Sequence, residues 1–151
     1  MSKMVDEEKI EEALKSLSRF LRHRMRSKEE IRRYLVKKGY SGDVVEEIIQ
    51  VLEHSGILND ELFVEMYMHD ALVLKFKGPR LIESELLKLG VDRDIIRRKM
   101  NEVLEKIDLN AIVKEQLRFK KIGSKEELRK YLFRRGFDLH LLNLDDLQGG
   151  E

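Results

Sequence analysis

The feature of this 151-residue sequence that most restricts its fold is a thirteen-residue segment that occurs twice. Residues 27–39 read SKEEIRRYLVKKG and residues 124–136 read SKEELRKYLFRRG, with eight identical positions. Each copy starts with Ser followed three residues later by Glu, the pattern of a capping box that satisfies free N–H groups at a helix start. Each copy ends with Gly, which adopts the left-handed conformation that closes a helix. The pattern predicts two helices with matching ends, set by Ser27, Glu30, Gly39, Ser124, Glu127 and Gly136.

A third copy with weaker similarity, GPRLIESELLKLG, lies between them at residues 78–90. Gly78 takes the place of the Ser cap, and Pro79 follows at the first helical position, where its missing N–H removes no hydrogen bond. Gly90 closes the segment. Self-similarity at a spacing of this size is typical of repeat proteins. The sequence therefore contains a three-fold repeat.

The segments that flank the three copies are also repeated. Upstream of each copy lies an amphipathic run, and the expected apolar positions of the second and third runs are Leu62, Phe63, Met66, Tyr67, Ile112, Phe119 and Ile122. Asn59 or Asp60 is expected to cap the second run. Two residues after each closing glycine comes a residue typical of a helix cap, namely Ser41, Asp92 and Asp138.

These patterns predict an all-α protein of three tandem three-helix repeats, about nine helices in total. We expect an N-terminal extension of the first helix at residues 1–12, followed by repeats at 13–58, 59–106 and 107–151, the last with a short C-terminal tail. The composition agrees, since 39% of the residues are charged, 7% are aromatic and the strict alternation of a half-buried strand is absent.

Several classes of protein are excluded by the sequence. No apolar run approaches the 18 residues or more that a membrane span requires, and the acidic N-terminus lacks the apolar region of a signal peptide. There are no cysteines, and therefore no disulfide, thiolate zinc site or cysteine nucleophile. We expect a cytoplasmic monomer.

The sequence gives no indication of catalysis. The four histidines lack any metal-ligand spacing, and no phosphate-binding glycine motif or nucleophile motif is present. We therefore predict that the protein is not an enzyme, that it has no catalytic residues, and that it binds no metal or cofactor.

Positive charge is concentrated in two segments. Residues 15–38 carry ten Lys or Arg and two Glu, and residues 114–135 carry nine Lys or Arg and three Glu. Residues 41–66, in contrast, carry seven acidic residues and no Lys or Arg. At about 100° per residue, cations before the first and third copies fall opposite the apolar stripe. This favours an anionic partner, either phosphate or an acidic protein surface. The candidate contact residues are Lys15, Arg19, Arg22, Arg26, Arg32, Arg33, Lys37, Lys114, Arg118 and Lys121.

Arg24 is interpreted differently, because by the same angle it falls on the apolar side at the end of the first helix. We expect a structural role for it.

The sequence resembles the RecX family, bacterial regulators of the RecA recombinase. The resemblance rests on ALKSLSRFLRHRMRSKEEIRRYLVKKGY at residues 13–40, LEHSGILNDELFVEMY at 52–67 and KGPRLIESELLKLGV at 77–91, in that order. It implies an elongated, curved array of three helix-turn-helix-like repeats. It also implies binding within the RecA filament on single-stranded DNA and inhibition of its ATPase, strand-exchange and coprotease activities. Family members are also described as contacting DNA, and no catalytic residue carries over.

Two alternatives remain open. One is a helix-turn-helix-like DNA-binding or architectural protein, for which the acidic helix after the first copy is unfavourable and the sequence IIRRKMNEV in the second repeat is suitable. The other is a purely structural scaffold. If the basic stripe is the contact surface, reversing Arg22, Arg26, Arg32 and Arg33 to Glu should abolish inhibition.

Overall fold

The computed structural model describes residues 6–148, which form nine α-helices and no strand. The first five residues of the predicted N-terminal extension and the last three of the predicted tail lie outside the described residues. A π-helical turn, Asp70–Leu74, extends the fourth helix, and a 3₁₀ turn, Leu139–Leu141, precedes the last. The helices are α1 Glu7–His23, α2 Lys28–Lys37, α3 Gly42–His54, α4 Asp60–His69, α5 Pro79–Lys88, α6 Arg93–Lys106, α7 Leu109–Leu117, α8 Lys125–Arg134 and α9 Leu144–Gln148.

The helices of the three repeated segments, α2, α5 and α8, are called the box helices below. At α2 the capping box is complete, because Ser27 Oγ accepts from the Glu30 N–H at 3.1 Å and the Glu30 carboxylate accepts from the Ser27 N–H at 3.0 Å. At α8 only half of it forms. Ser124 Oγ accepts from the Glu127 N–H at 3.1 Å, but the Glu127 carboxylate accepts from Gly123 instead, at 2.9 Å.

The other predicted caps are correct with one exception. Ser41 and Asp92 cap α3 and α6, and Asn59 accepts from the Leu62 N–H at 3.1 Å at the start of α4. Asp138 makes no side-chain cap and precedes only a 3₁₀ turn. The prediction of a helix starting at Asp138 is therefore wrong, and the last helix is the five-residue α9.

All three closing glycines have positive φ, as predicted: Gly39 at 94°, Gly90 at 81° and Gly136 at 93°. The residue after the glycine then donates back into the box helix, Tyr40 to Leu35 at 3.2 Å and Phe137 to Leu132 at 3.0 Å. This is the closure that a glycine in the left-handed region permits.

By compactness the chain divides into two units, Met1–Phe63 with Leu89–Val91, and Val64–Lys88 with Asp92–Glu151. The predicted repeat boundaries at 58/59 and 106/107 fall in the turns before α4 and α7, and they stay predictions. In the first unit, α1, α2 and α3 bury one apolar cluster, of which Leu17, Leu35 and Ile48 are almost completely inaccessible. Burying each such side chain contributes about 1.5–3 kcal/mol.

In the second unit the core includes Met68, Leu86, Ile96, Leu132 and Phe137. Its aromatic centre is Phe76 against Phe137, with ring centroids 5.1 Å apart.

Three positions that were expected to be apolar contacts are exposed instead. Leu62 and Met66 are 43% and 50% exposed, because α4 buries the side that carries Phe63 and Met68. Phe119 is 89% exposed, because α7 ends at Leu117 and leaves it in the following turn.

The same contact joins consecutive box segments, between the N-cap of one box helix and the closing glycine region of the next. In the first unit, Ser27 Oγ donates to the Leu89 carbonyl at 2.7 Å, just before Gly90. In the second unit, the Gly78 N–H donates to the Arg135 carbonyl at 2.6 Å, just before Gly136. We call this contact the repeat junction. It explains the burial of Ser27 and Gly78 at two of the three caps.

Candidate functional site

The candidate site begins with three cations on one face of α1. Lys15, Arg19 and Arg22 are exposed and follow one another at the spacing that keeps side chains on one side of a helix. Leu17 lies on the buried side of the same helix. Within residues 6–148, no carboxylate lies within ion-pair distance of these three side chains. We call them the α1 basic face.

Arg26 does not belong to this face, and the prediction that it extends the stripe is wrong. The helix ends at His23, so the angular count no longer applies. The Arg26 guanidinium instead lies 3.9 Å from the centroid of the Phe20 ring, and Nε donates to the Phe20 carbonyl at 3.3 Å. With its Nη1 3.5 Å from Glu30 and a side chain only 13% exposed, Arg26 stabilises the turn between α1 and α2.

Arg24 has the structural role expected of it. Its guanidinium donates to the Met25 carbonyl at 2.9 Å and to the Glu30 carboxylate at 3.1 Å. Since Glu30 also completes the capping box, Arg24 helps to fix the start of α2.

Arg32 joins α2 to α3 and is not a free surface cation. Its Nε lies 2.9 Å from Glu46 and its Nη1 lies 2.8 Å from Glu29. The hydrogen bond to Glu46 raises the pKa of Arg32 despite its partial burial, and the hydrogen bond from Arg32 lowers the pKa of Glu46. Reversing Arg26 and Arg32 would therefore break contacts that hold the fold, which makes the fourfold substitution a poor test of binding.

The remaining cations of α2 are at its surface. Arg33 is exposed, and its Nη2 lies 3.3 Å from where a Cβ on Gly90 would be. Lys37 is exposed in the last turn.

In the third repeat, α9 neutralises part of the predicted basic stripe. Lys114 lies 3.6 Å from Asp146 and Lys125 lies 2.6 Å from Asp145. The Asn110 amide donates to Asp146 at 2.7 Å, which further ties α7 to α9. The adjacent carboxylates Asp145 and Asp146 therefore bind cations of α7 and α8. Among the candidate contact residues, Lys114 is the one that α9 neutralises, and it is therefore less suited to bind a partner.

Arg118 and Lys121 lie beyond the end of α7, in the turn that leads to α8. Arg118 lies 3.4 Å from Glu115 and 5.2 Å from the centroid of the exposed Phe119 ring, while Lys121 is exposed. Lys120 in the same turn donates to the Tyr131 hydroxyl at 3.0 Å. The turn 118–121 thus presents one aromatic ring among cations.

Phe119 is the candidate that the sequence analysis missed. The signal was present in the cluster that follows it, since Lys120, Lys121 and Gly123 indicate a turn in which no helical face exists to bury a ring. Exposed aromatic and arginine side chains are enriched at the centres of protein interfaces.

No group of three or more His, Asp or Glu side chains is placed to hold a metal ion in the described part of the chain. Likewise, none of the helices in residues 6–148 is both long enough and apolar enough to cross a membrane.

Comparison with known proteins identifies the family. A family model for the first three-helix domain of RecX matches residues 18–52, and one for the second three-helix domain matches residues 59–100. The regulatory protein RecX of Thermotoga maritima is 40% identical over 136 residues, which cover 88% of this chain and 83% of that protein. The chain belongs to the RecX family.

Other RecX proteins differ in length from this one. The regulatory protein RecX of Listeria innocua is 35% identical over 116 residues, which are 77% of this chain and 43% of that protein. The crystal structure of RecX from Lactobacillus salivarius superimposes with a TM-score of 0.73 at 21% identity, covering 95% of this chain and 96% of that one. A second crystal structure of a regulatory protein RecX superimposes with a TM-score of 0.67 at 18% identity, covering 93% of this chain and 77% of that one. Both crystal structures share the fold of this chain.

The all-helical fold of three-helix repeats is thus confirmed for this RecX-family chain. The two matched domains contain most of α1 to α6, and α7, α8 and α9 follow in the same order, with a box helix in the middle. RecX proteins are regulatory proteins and form no known family of enzymes, in agreement with the lack of a catalytic motif in this sequence.

Proposed function

We propose that this RecX-family protein binds the RecA recombinase filament on single-stranded DNA and inhibits its ATPase, strand-exchange and coprotease activities, in the cytoplasm. The observation that carries the proposal is the α1 basic face. Its three cations, Lys15, Arg19 and Arg22, are exposed and separate from the ion pairs that hold the fold. A protein–DNA filament offers anionic groups of both kinds, phosphates and carboxylates.

The chemistry of the α1 basic face suits contact with such a surface. Point charges on a helix need no precise geometry to bind phosphate, and they give binding that weakens as salt rises. The same charges speed up association with an acidic protein surface. Arg33 and Lys37 are further exposed cations, on α2.

The exposed ring of Phe119 gives the proposed interface an apolar anchor. An aromatic side chain that becomes buried on binding contributes more than a rim charge does, because rim charges remain in water. In this proposal the cations Arg118 and Lys121 contact anionic groups around the ring.

Inhibition follows if the protein prefers one state of the filament. A ligand shifts a conformational equilibrium only by its difference in affinity for the two states. Binding that favours one arrangement of neighbouring recombinase subunits would therefore slow the cycle of hydrolysis and strand exchange. No catalytic group on the regulator is required.

The alternative, sequence-specific DNA binding through a recognition helix, has less support. In α6, the best candidate by sequence, Lys99 lies 2.5 Å from Glu65 and 3.0 Å from Glu102, and these carboxylates raise its pKa by hydrogen bonding. In α3, Glu46 is bound to Arg32. The acidic α3 presents no row of Arg, Asn or Gln side chains of the kind that reads base edges, whereas α6 carries Arg93, Arg97 and Asn101 exposed one turn apart.

Cosedimentation distinguishes these functions. The protein would be spun with recombinase filaments on single-stranded DNA and, separately, with naked single- and double-stranded DNA over a series of salt concentrations. We expect it to sediment with the filament under conditions in which it leaves naked DNA in the supernatant. Equal binding to naked DNA, with a steep salt dependence, would instead support the DNA-binding alternative.

A further inference from the structure

The repeat junction is built twice within this chain, and each instance uses two parts. One part is the N-cap of a box helix, Ser27 or Gly78, and the other is the closing glycine region of the next box helix, at Gly90 or Gly136. Backbone closeness is required at both glycines, because a Cβ would lie 2.4 Å from Glu29 Cβ at Gly90 and 2.5 Å from Leu81 Cβ at Gly136.

Three box segments contain three caps and three closing glycines, so that two junctions leave one part of each kind unused. The unused glycine is Gly39, which is exposed and whose missing Cβ would meet no atom within 4 Å in the described part of the chain. The unused cap is Ser124, which is exposed, whereas the used caps Ser27 and Gly78 are buried.

We propose that a second copy of this chain completes the junction, with the Ser124 end of one molecule docked on the Gly39 end of another. In the docked pair, the Ser124 hydroxyl donates to the Lys38 carbonyl, as Ser27 donates to Leu89 within the chain. Because Gly39 has no side chain, the start of α8 from the second molecule can approach the backbone there. Gly90 and Gly136 permit the same close approach in the two existing junctions.

Charge complementarity supports this partner. The first turn of α8 carries Glu126 and Glu127, and the end of α2 carries Lys37 followed by Lys38. Carboxylates at a helix start and ammonium groups at a helix end also match the two helix dipoles. The two unused parts are therefore oppositely charged.

The existing junction in the second unit shows which side chains come together. Arg80, two residues after the cap position Gly78, lies 4.3 Å from the centroid of the Phe133 ring, three residues before Gly136. The corresponding residues of the unused parts are Glu126 and Val36. Val36 is 58% exposed, and docking covers it while it brings Glu126 to the neighbouring Lys37.

A contact between two different surfaces of the same chain is heterologous, and it extends into a chain of molecules unless the rotation closes it. The protein then associates head to tail as its concentration rises. This proposal differs from the monomer that the sequence led us to expect. This inference goes beyond binding to the recombinase and does not depend on it.

Sedimentation equilibrium of the protein alone, without DNA or recombinase, tests the proposal. We expect the weight-average mass of the wild type to increase with concentration up to about 1 mM, where contacts of millimolar affinity become visible. The variants K37E/K38E and E126K, each alone, should keep the monomer mass over the same range. A 1:1 mixture of the two should associate again, because the reversed ends attract each other and the native ends do so too.

The matched control is R97E/K106E, which makes the same change in net charge at exposed positions on α6, outside the two box helices that carry the unused parts, and it should associate like the wild type. Thermal unfolding followed by circular dichroism verifies that every variant is folded. A wild type that stays monomeric throughout, variants that associate as the wild type does, or a mixture that stays monomeric would each overturn the proposal.

Discussion

Gly78 and Gly136 lie in direct backbone contact, so close that a Cβ on Gly78 would lie 2.3 Å from the carbonyl carbon of Gly136. The Gly78 N–H donates to Arg135, and the Gly136 carbonyl accepts from Arg80 at 2.9 Å. Two glycines from different repeats are thus needed for one interface. The first was recognised in the sequence as a helix cap and the second as a helix end, but their contact is a property of the folded chain.

Replacing Gly78 by Ala should destabilise the protein. The added methyl has no space against the Gly136 backbone, and overpacking of this kind costs about 1–3 kcal/mol. Urea unfolding would measure the loss. Gly42→Ala is the matched control, because it lies at the start of α3 with no atom within 4 Å of the new Cβ. It should leave the stability unchanged or raise it slightly. Equal losses of stability for Gly78→Ala and Gly42→Ala would contradict the close backbone contact at the repeat junction.

The two serine caps should differ in their contributions to stability. Ser27→Ala removes a cap, worth about 1 kcal/mol, and also removes the donor to Leu89, which leaves that carbonyl unpaired at a further cost of about 1 kcal/mol. Ser124→Ala removes only an exposed cap and should cost about half as much. The comparison uses the change in unfolding free energy from denaturant titration, and a larger loss for Ser124 would be inconsistent with the structure.

The stability of the chain should depend on pH through Asp60. Burial raises the pKa of this carboxyl even though its Oδ1 accepts from the Lys28 N–H at 2.8 Å and Lys28 is positively charged; Glu53 and Glu30 add to the rise. The pKa of Asp60 is therefore higher in the folded chain than in the unfolded chain. The contribution of this carboxyl to the stability of the fold is complete at pH values below its unfolded pKa, and it is lost as the pH rises through its folded pKa.

Asp60→Asn should therefore gain stability relative to the wild type as the pH rises from about 3 to about 7. The asparagine Oδ1 still accepts from Lys28 and carries no charge. Unfolding free energies of both proteins, measured at several pH values, would show the difference. A difference that does not grow with pH would mean that Asp60 is as well solvated in the folded protein as in the unfolded one.

Phe119→Ala should leave the fold intact and weaken binding to the filament. The ring is 89% exposed, and substitutions at such sites change stability by less than about 0.5 kcal/mol. Phe137→Ala is the contrasting variant, because that ring is fully buried and its removal costs about 3–5 kcal/mol. Cosedimentation and thermal unfolding would be measured together. If Phe119→Ala bound like the wild type, the ring would not be part of the interface.

The sequence predicted best what depends on neighbours along the chain. Serine caps, glutamate three residues later and closing glycines act within one helical turn, which is why Ser27, Glu30 and Gly39 have the roles expected of them. Three such segments at similar spacing also led to the repeat architecture. Glu127 departs from the pattern because a nearby N–H, that of Gly123, competes for its carboxylate.

Contacts between distant residues could not be predicted in this way. Counting angles along α1 placed Arg26 on the stripe, but the helix ends three residues earlier and the side chain lies against Phe20. Arg32 looked like a free cation because Glu46, its partner, belongs to another helix. The candidate site became smaller for this reason, and the α1 basic face is the part that remains.

The most direct test of the proposed function is inhibition of the recombinase ATPase by a variant with a reversed α1 basic face, K15E/R19E/R22E. The control is R93E/R97E/K106E, which makes the same charge change at exposed positions on α6. We expect the first variant to need more than about tenfold higher concentration than the wild type for half-inhibition, a loss of at least about 1.4 kcal/mol, while the control inhibits normally. Normal inhibition by K15E/R19E/R22E would contradict the proposal, whatever the α6 variant does.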